Sequence, residues 1–247
     1  FYLFCLACFF IGNGMAFTHQ YRFAAAESVE KSFIPKALSI IMLASIFSAL
    51  LGPNIANFNK DLISGHLFVG SYLSLAVLTF IPVLFLSFYS PKTEPAGTKE
   101  YKGRGYFELI SQPRFLQAVA AAAFAYAVMS FLMTATPINM HVTENYSLNK
   151  TGIVIQLHII SMFLPSLITG NLLRKFGHGK IIYAGVSFYI ITILLSFLEP
   201  SFFNYLFSLI FLGIGWNFLY LSGTGLLVLS YKEEEKFKAQ GFNDILV

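Results

Sequence analysis

The chain has 247 residues, of which 56% are hydrophobic and only 11% charged, with a net charge of +4. A water-soluble domain carries roughly a quarter charged residues. With a mean hydropathy of +0.68, this composition excludes an ordinary soluble fold and points to an all-α integral membrane protein.

Seven apolar runs are long enough to cross about 30 Å of hydrocarbon as helices. They lie near 1–18, 38–57, 66–89, 115–138, 152–173, 181–198 and 204–230, and none contains Asp, Glu, Lys or Arg. Helices are required because lipid offers nothing to satisfy open backbone polar groups. The first run starts at Phe1, with no initiator Met and no charged signal-peptide region, and residues 242–247 read as the entrance to a further helix. The expectation is an internal fragment, in which the count of seven spans is not itself an architecture.

In chain order, Cys5 and Cys8 lie one turn apart in the first span and are expected to be buried apolar side chains rather than metal or redox groups. Asn13 follows in Phe10-Ile11-Gly12-Asn13-Gly14. On 38–57, Ala44, Ser48, Gly52 and Ala56 form a stripe of small residues that lets helix backbones approach closely. Residues 90–114 hold most of the mid-chain Pro, Gly and charge, the composition of a linker, with a short interfacial helix expected over 107–110. On 115–138, Ala118, Ala122 and Ala125 repeat the small-residue theme. Tyr126, Ser130, Thr134 and Pro137 share a face there, and Asn139 lies just beyond.

His158 is the one ionisable side chain near mid-membrane apart from cysteine and tyrosine, and it shares a face with Ser161, Pro165 and Thr169. Ionisable groups in a bilayer are costly and usually functional, and histidine titrates in the physiological range, so His158 is the candidate for proton coupling. A neutral imidazole bonded to a neighbouring helix is the structural alternative. In the last span Trp216, Tyr220 and Thr224 fall at intervals of four with Asn217 adjacent. Aromatics with a hydrogen-bonding tip suit a small amphipathic substrate. Glu233-Glu234-Glu235 reads as a solvated run. No span supplies Arg or Lys to clamp an anion, which disfavours a strongly acidic substrate.

Charge placement gives the topology. The loops 19–37, 90–114, 174–180 and 231–241 carry 14 of the 16 basic residues, leaving only Lys60 and Lys150 opposite, so the first set is expected in the cytoplasm. No basic patch is interleaved with exposed aromatics, which excludes nucleic acid as a partner. Phe211-Leu212-Gly213-Ile214-Gly215-Trp216-Asn217-Phe218 repeats the Phe, Gly, Gly and Phe of residues 10–17 in register, at an offset of 201. Helices that recur in the same sense suggest two similar halves facing one another.

This order of features resembles the major facilitator superfamily of secondary transporters. Two local patterns carry the resemblance. The family's fifth helix often reads G-x8-G-x3-G-P-x2-G-G, and the matching positions here are Ser39, Ser48, Gly52, Pro53, Ala56 and Asn57. Its loop between the eighth and ninth helices carries a form of G-x3-D-[RK]-x-G-[RK]-[RK]. Here Gly170, Lys175 and Gly177 match, while Arg174 stands where the family has a carboxylate. The resemblance implies two six-helix bundles, of which this chain would supply helices four to ten and the start of eleven. Residues 1–89 would then belong to the first bundle, 90–114 to the cytoplasmic linker and 115–247 to the second bundle. It implies a carrier in the bacterial inner membrane, monomeric when complete, that moves a small molecule by alternating access, with proton coupling and export both open. Candidate cavity residues are Asn13, Tyr126, Ser130, Thr134, Asn139, Trp216, Asn217 and Tyr220. Ser48, Gly52, Pro53, Gly170, Lys175 and Gly177 are candidates for conformational roles. No cofactor or metal is expected. The alternative is a seven-helix receptor or sensor, or a membrane scaffold. A retinal receptor would want a Lys in the last span, and an enzyme would want clustered His, Asp or Glu; neither is present.

Overall fold

The computed structural model describes residues 2–66, 68–88 and 103–247. It is helical, with no strand among the described residues. The long helices are α1 (Tyr2–Glu27), α2 (Ile34–Phe58), α3 (Val69–Ser87), α5 (Pro113–Ile138), α6 (Leu148–Phe163), α7 (Ser166–Phe176), α8 (His178–Ser196) and α9 (Phe202–Val228). Shorter pieces are α4 (Tyr106–Ile110), within the stretch read as a linker, and α10 (Lys236–Leu246) after the last span. With α6 and α7 counted as one crossing, seven segments are long and apolar enough to span a membrane.

Two expectations about these spans need correction. The first helix does not stop at 18 but runs to Glu27, because Arg22, Phe23 and Ala26 fall on one buried face and Arg22 finds a carboxylate partner. The fifth apolar run is not one helix: Pro165 has no N–H to continue the ladder, and the chain breaks between α6 and α7. Residues 90–102, which include most of the linker, lie outside the described residues.

Two compact units are present. The smaller, Phe47–Lys102, contains the second half of α2 and α3. There Ser71 Oγ donates to the Ala56 carbonyl at 2.5 Å, and Gly52, Ile55, Tyr72 and Leu75 help line an apolar cleft of about 500 Å³. The stripe expected to pack is therefore open among the described residues, since Ala44, Ser48, Gly52 and Ala56 are all exposed.

The larger unit, Phe1–Ile46 with Gly103–Val247, is built around α9. Buried residues occur all round this helix from Leu209 to Leu227, so it is a core element and not a lipid-facing one. Its glycines set the distances. A Cβ on Gly213 would lie 2.8 Å from the His158 carbonyl and 2.9 Å from the Met162 amide on α6. On Gly215 it would meet the Tyr189 ring and the Gly185 carbonyl of α8, and on Gly223 the Ala118 carbonyl of α5 at 2.8 Å. The alanines facing Gly223 complete that contact, since Ala118 and Ala122 are fully buried. The glycines of the first repeat copy, Gly12 and Gly14, have nothing within 4 Å among the described residues.

Polar side chains cross-link the same bundle. Tyr189 donates to the Ala125 carbonyl at 2.7 Å, and Thr192 to the Ser208 carbonyl at 3.1 Å. Ser147 and Ser201 cap the N-termini of α6 and α9. Cys5 and Cys8, expected to be buried, are both exposed and unpaired.

Beside the Ser161 hydroxyl, the atoms facing Gly213 are the backbone His158 carbonyl and Met162 amide, which cannot swing aside. Gly213→Val in the full-length protein is expected to destabilise the folded state by at least about 2 kcal/mol. Gly179→Ala, with open space around it, should change stability by less than about 0.5 kcal/mol. Thermal unfolding in detergent checks both, and equal midpoints would contradict the packing described.

Candidate functional site

Where α5 meets α9, aromatic side chains form a continuous cluster. Trp216 and Tyr220 stack with centroids 4.7 Å apart and 19° between planes. Tyr126 presents its edge to both, at 5.5 and 5.1 Å, and Phe163 does the same to Trp216 at 5.8 Å. His19 of α1 lies 5.8 Å from the Tyr126 ring. Trp216 and Tyr220 are buried, whereas Tyr126, Phe163 and His19 are half-buried and form the accessible side. Ser130 and Thr134 continue from Tyr126 along an exposed face of α5. The intervals of four in α5 and α9 thus bring Tyr126, Trp216 and Tyr220 together.

Below Tyr220 sits a residue the sequence reading placed in a loop. Arg22 is 2% exposed, its guanidinium 4.5 Å from the Phe23 ring centre and 4.8 Å from that of Tyr220. Its Nη2 donates to Asp244 Oδ1 of α10 at 2.6 Å, and Gln20 donates to the other carboxylate oxygen. Nε and Nη1 have no acceptor among the described residues. The expectation that no basic group is buried beside the candidate cavity is therefore wrong. The signal lay in His19, Gln20 and Arg22 directly following the first apolar run, with Asp244 in the closing helix. Read as loop charges, they could not be paired from sequence.

One turn further along α1, Glu27 accepts from Gln240 of α10 at 2.6 Å and pairs with Lys236 at 3.4 Å. Nearby, Glu235 is fully buried, which corrects the reading of 233–235 as a solvated run. Arg104 explains it: Nε donates to Oε1 at 2.7 Å, Nη2 to Oε2 at 2.5 Å, and the Arg104 backbone N–H adds a third bond at 2.9 Å. This bidentate arrangement is the strong form of a carboxylate contact. It holds the Glu235 carboxyl well below its ordinary value of 4.5, at about 2.

The other candidates are dispersed. Asn217 is fully buried and fully used: it accepts from Thr169 at 2.8 Å and donates to the Met162 carbonyl and Ser166 Oγ, each at 2.7 Å. It ties α9 to α6 and α7 and does not line an opening. His158 is also fully buried, with Nδ1 2.7 Å from the Leu209 carbonyl, so Nδ1 carries the hydrogen, while Nε2 has no partner among the described residues. Asn139 donates to the Tyr205 hydroxyl at 2.7 Å beside a cleft of about 460 Å³ between α5, α8 and α9. Asn13 is exposed and donates to its own helix at Phe9.

A family model for the major facilitator superfamily matches residues 1–246. The chain belongs to that superfamily. It is 36% identical over 254 residues to the riboflavin transporter RfnT of Brucella anthropi, across all of this chain and 62% of that protein. Two Bacillus subtilis proteins described as uncharacterized MFS-type transporters, YddS and YdeG, are each 28% identical, over 96% and 100% of this chain and 58% and 61% of theirs. The chain therefore spans about three fifths of the length of these relatives. Membership makes it an integral membrane protein of a transporter family, not an enzyme.

The superfamily loop pattern now has a physical content. A Cβ on Gly170 would lie 2.7 Å from Ser39 Oγ and 2.9 Å from the Pro35 carbonyl, so this glycine is where α7 touches the start of α2. Gly177, at φ +81°, allows the tight join between α7 and α8 that a side chain would strain. Lys175 lies over the Phe176 ring at 5.2 Å. In the other pattern, Gly52 has open space around it and Ser48 is exposed, while the Pro53 side chain lies outside the described residues.

The Arg104–Glu235 pair has a definite pH signature. A carboxyl whose folded value is depressed stabilises the fold at all pH above about 4.5 and loses that contribution as pH falls toward about 2. Glu235→Gln should be less stable than wild type at pH 7, with the gap closing between those limits. Thermal midpoints at a series of pH values measure this, and a constant gap would contradict it.

Proposed function

We propose that this chain forms the central part of a secondary carrier that moves a small, flat heteroaromatic molecule of the riboflavin type across the bacterial inner membrane by alternating access. The observation that carries the reading is the Tyr126–Trp216–Tyr220 cluster, accessible along the Ser130 and Thr134 face of α5. The accessible ring is that of Tyr126, backed by the buried Trp216 and Tyr220, and Trp216 Nε1 has no acceptor among the described residues. A planar ring gains both stacking and a hydrogen bond there. The 36% identity to a riboflavin transporter supports the same substrate class.

In this reading residues 1–89 belong to the first helical bundle, 90–114 link the bundles in the cytoplasm and 115–247 belong to the second bundle. The basic loops 19–37, 90–114, 174–180 and 231–241 face the cytoplasm. The α1–α10 contacts then close the cytoplasmic end, and the exposed strip of α5 faces the substrate path. A second reading, proton coupling through His158, is favoured by the partnerless Nε2, which has an open lone pair for a proton in a buried position.

Proteoliposomes containing the full-length carrier should accumulate riboflavin by counterflow. Tyr126→Leu, at a half-buried site, should cut the initial rate tenfold or more while leaving the protein monodisperse. Absence of riboflavin counterflow in the wild type would sink the flavin assignment. For coupling, His158→Gln is expected to remove the stimulation of uptake by an imposed pH gradient; unchanged stimulation would leave His158 as a structural tie to Leu209.

A further inference from the structure

Two guanidinium nitrogens of Arg22, Nε and Nη1, donate no hydrogen bond among the described residues. Its partner Asp244 takes Nη2, which neutralises the guanidinium, yet Nε and Nη1 are buried with no acceptor. Buried donors of this kind are rare in folded proteins and call for a partner. The same narrow void is lined by Arg22, Tyr220 and Thr224, with Leu38, Met42 and Leu221. Thr224 Oγ1 is also buried without a hydrogen-bond partner among the described residues. Thr224 continues the Trp216–Tyr220 face of α9 by one turn, so the aromatic cluster runs directly into a pocket of unsatisfied polar groups.

We infer that this void is the polar subsite of the carrier, in which Arg22 and Thr224 hydrogen-bond a carbonyl-type acceptor at one end of a flat ring ligand. The inference rests on the aromatic-site reading given under the proposed function. The ligand end is a neutral acceptor and not an anion, because Asp244 already balances the Arg22 charge and a second negative group beside it would be repelled. As it stands the void is too tight to hold a free water, so an acceptor enters only when the side chains of α1, α2 and α9 that line it move apart. Asp244 holds Nη2 while Nε and Nη1 are the donors left for the ligand, so engagement leaves the ion pair in place. Arg22 is thus a substrate-contacting residue as well as part of the α1–α10 closure.

The test compares two probes on the purified full-length carrier: riboflavin, whose ring carries carbonyl acceptors, and phenazine, a flat ring without them. Arg22→Gln, and the charge-balanced double variant Arg22→Gln/Asp244→Asn, should each weaken riboflavin binding tenfold or more. Both should change phenazine binding less than twofold, which also shows that the aromatic site is still folded. Riboflavin affinity within twofold of wild type in the double variant would overturn the role of Arg22 and leave the aromatic site standing. An equal loss for both probes would overturn it too, because Arg22 would then only support the fold. If the wild type binds neither probe, the aromatic-site reading fails and this subsite falls with it.

Discussion

Everything in the larger unit depends on how closely its neighbours can approach α9. In lipid there is no hydrophobic gain from pressing one apolar helix against another, so association rests on van der Waals contact and interhelical hydrogen bonds. Glycines at 213, 215 and 223 supply the contact by removing a side chain where α6, α8 and α5 cross. That proximity in turn lets Asn217, His158, Thr192 and Tyr189 reach across to carbonyls and hydroxyls of neighbouring helices. Each such bond contributes roughly 0.6 kcal/mol on average in comparable settings. Their larger effect is on register, because a buried amide such as Asn217 has satisfactory partners in one alignment only.

A second layer of interactions is of a different kind. Between α1 and α10, and between Arg104 and the turn at Glu235, the contacts are ionic and lie at the end of the bundle that carries the basic loops. Breaking a buried pair by removing one partner costs several kcal/mol, whereas separating both into water costs much less, since hydration replaces the lost partner. Such pairs hold firmly while dry and yield when water enters. The central helix is locked by geometry; its periphery is held by charge.

The seven crossings, their approximate limits and the family were all readable from hydropathy, loop charge and the spacing of repeated residues. The sequence also placed Tyr126 on one face of its helix and Trp216 and Tyr220 on one face of another, because intervals of four align side chains; that these two faces meet is seen only in the fold. What escaped the sequence depended on partners far along the chain. Arg22 and Glu235 look solvated when seen among their neighbours, and only the fold brings Asp244 and Arg104 to them. Asn217 failed in the opposite direction: adjacency to Trp216 suggested a cavity position, while the 100° step between consecutive residues turned it into the contact with α6 and α7.

The glycine contacts around α9 also bear on how this protein can change over generations. A helix packed backbone to backbone on three sides admits almost no substitution, so Trp216 and Tyr220 are held where their neighbours leave them. The exposed strip of α5 has no such restriction: Ser130 and Thr134 touch little and can be exchanged at small cost. Substitutions would then accumulate more readily along the exposed strip of α5 than along the glycine face of α9.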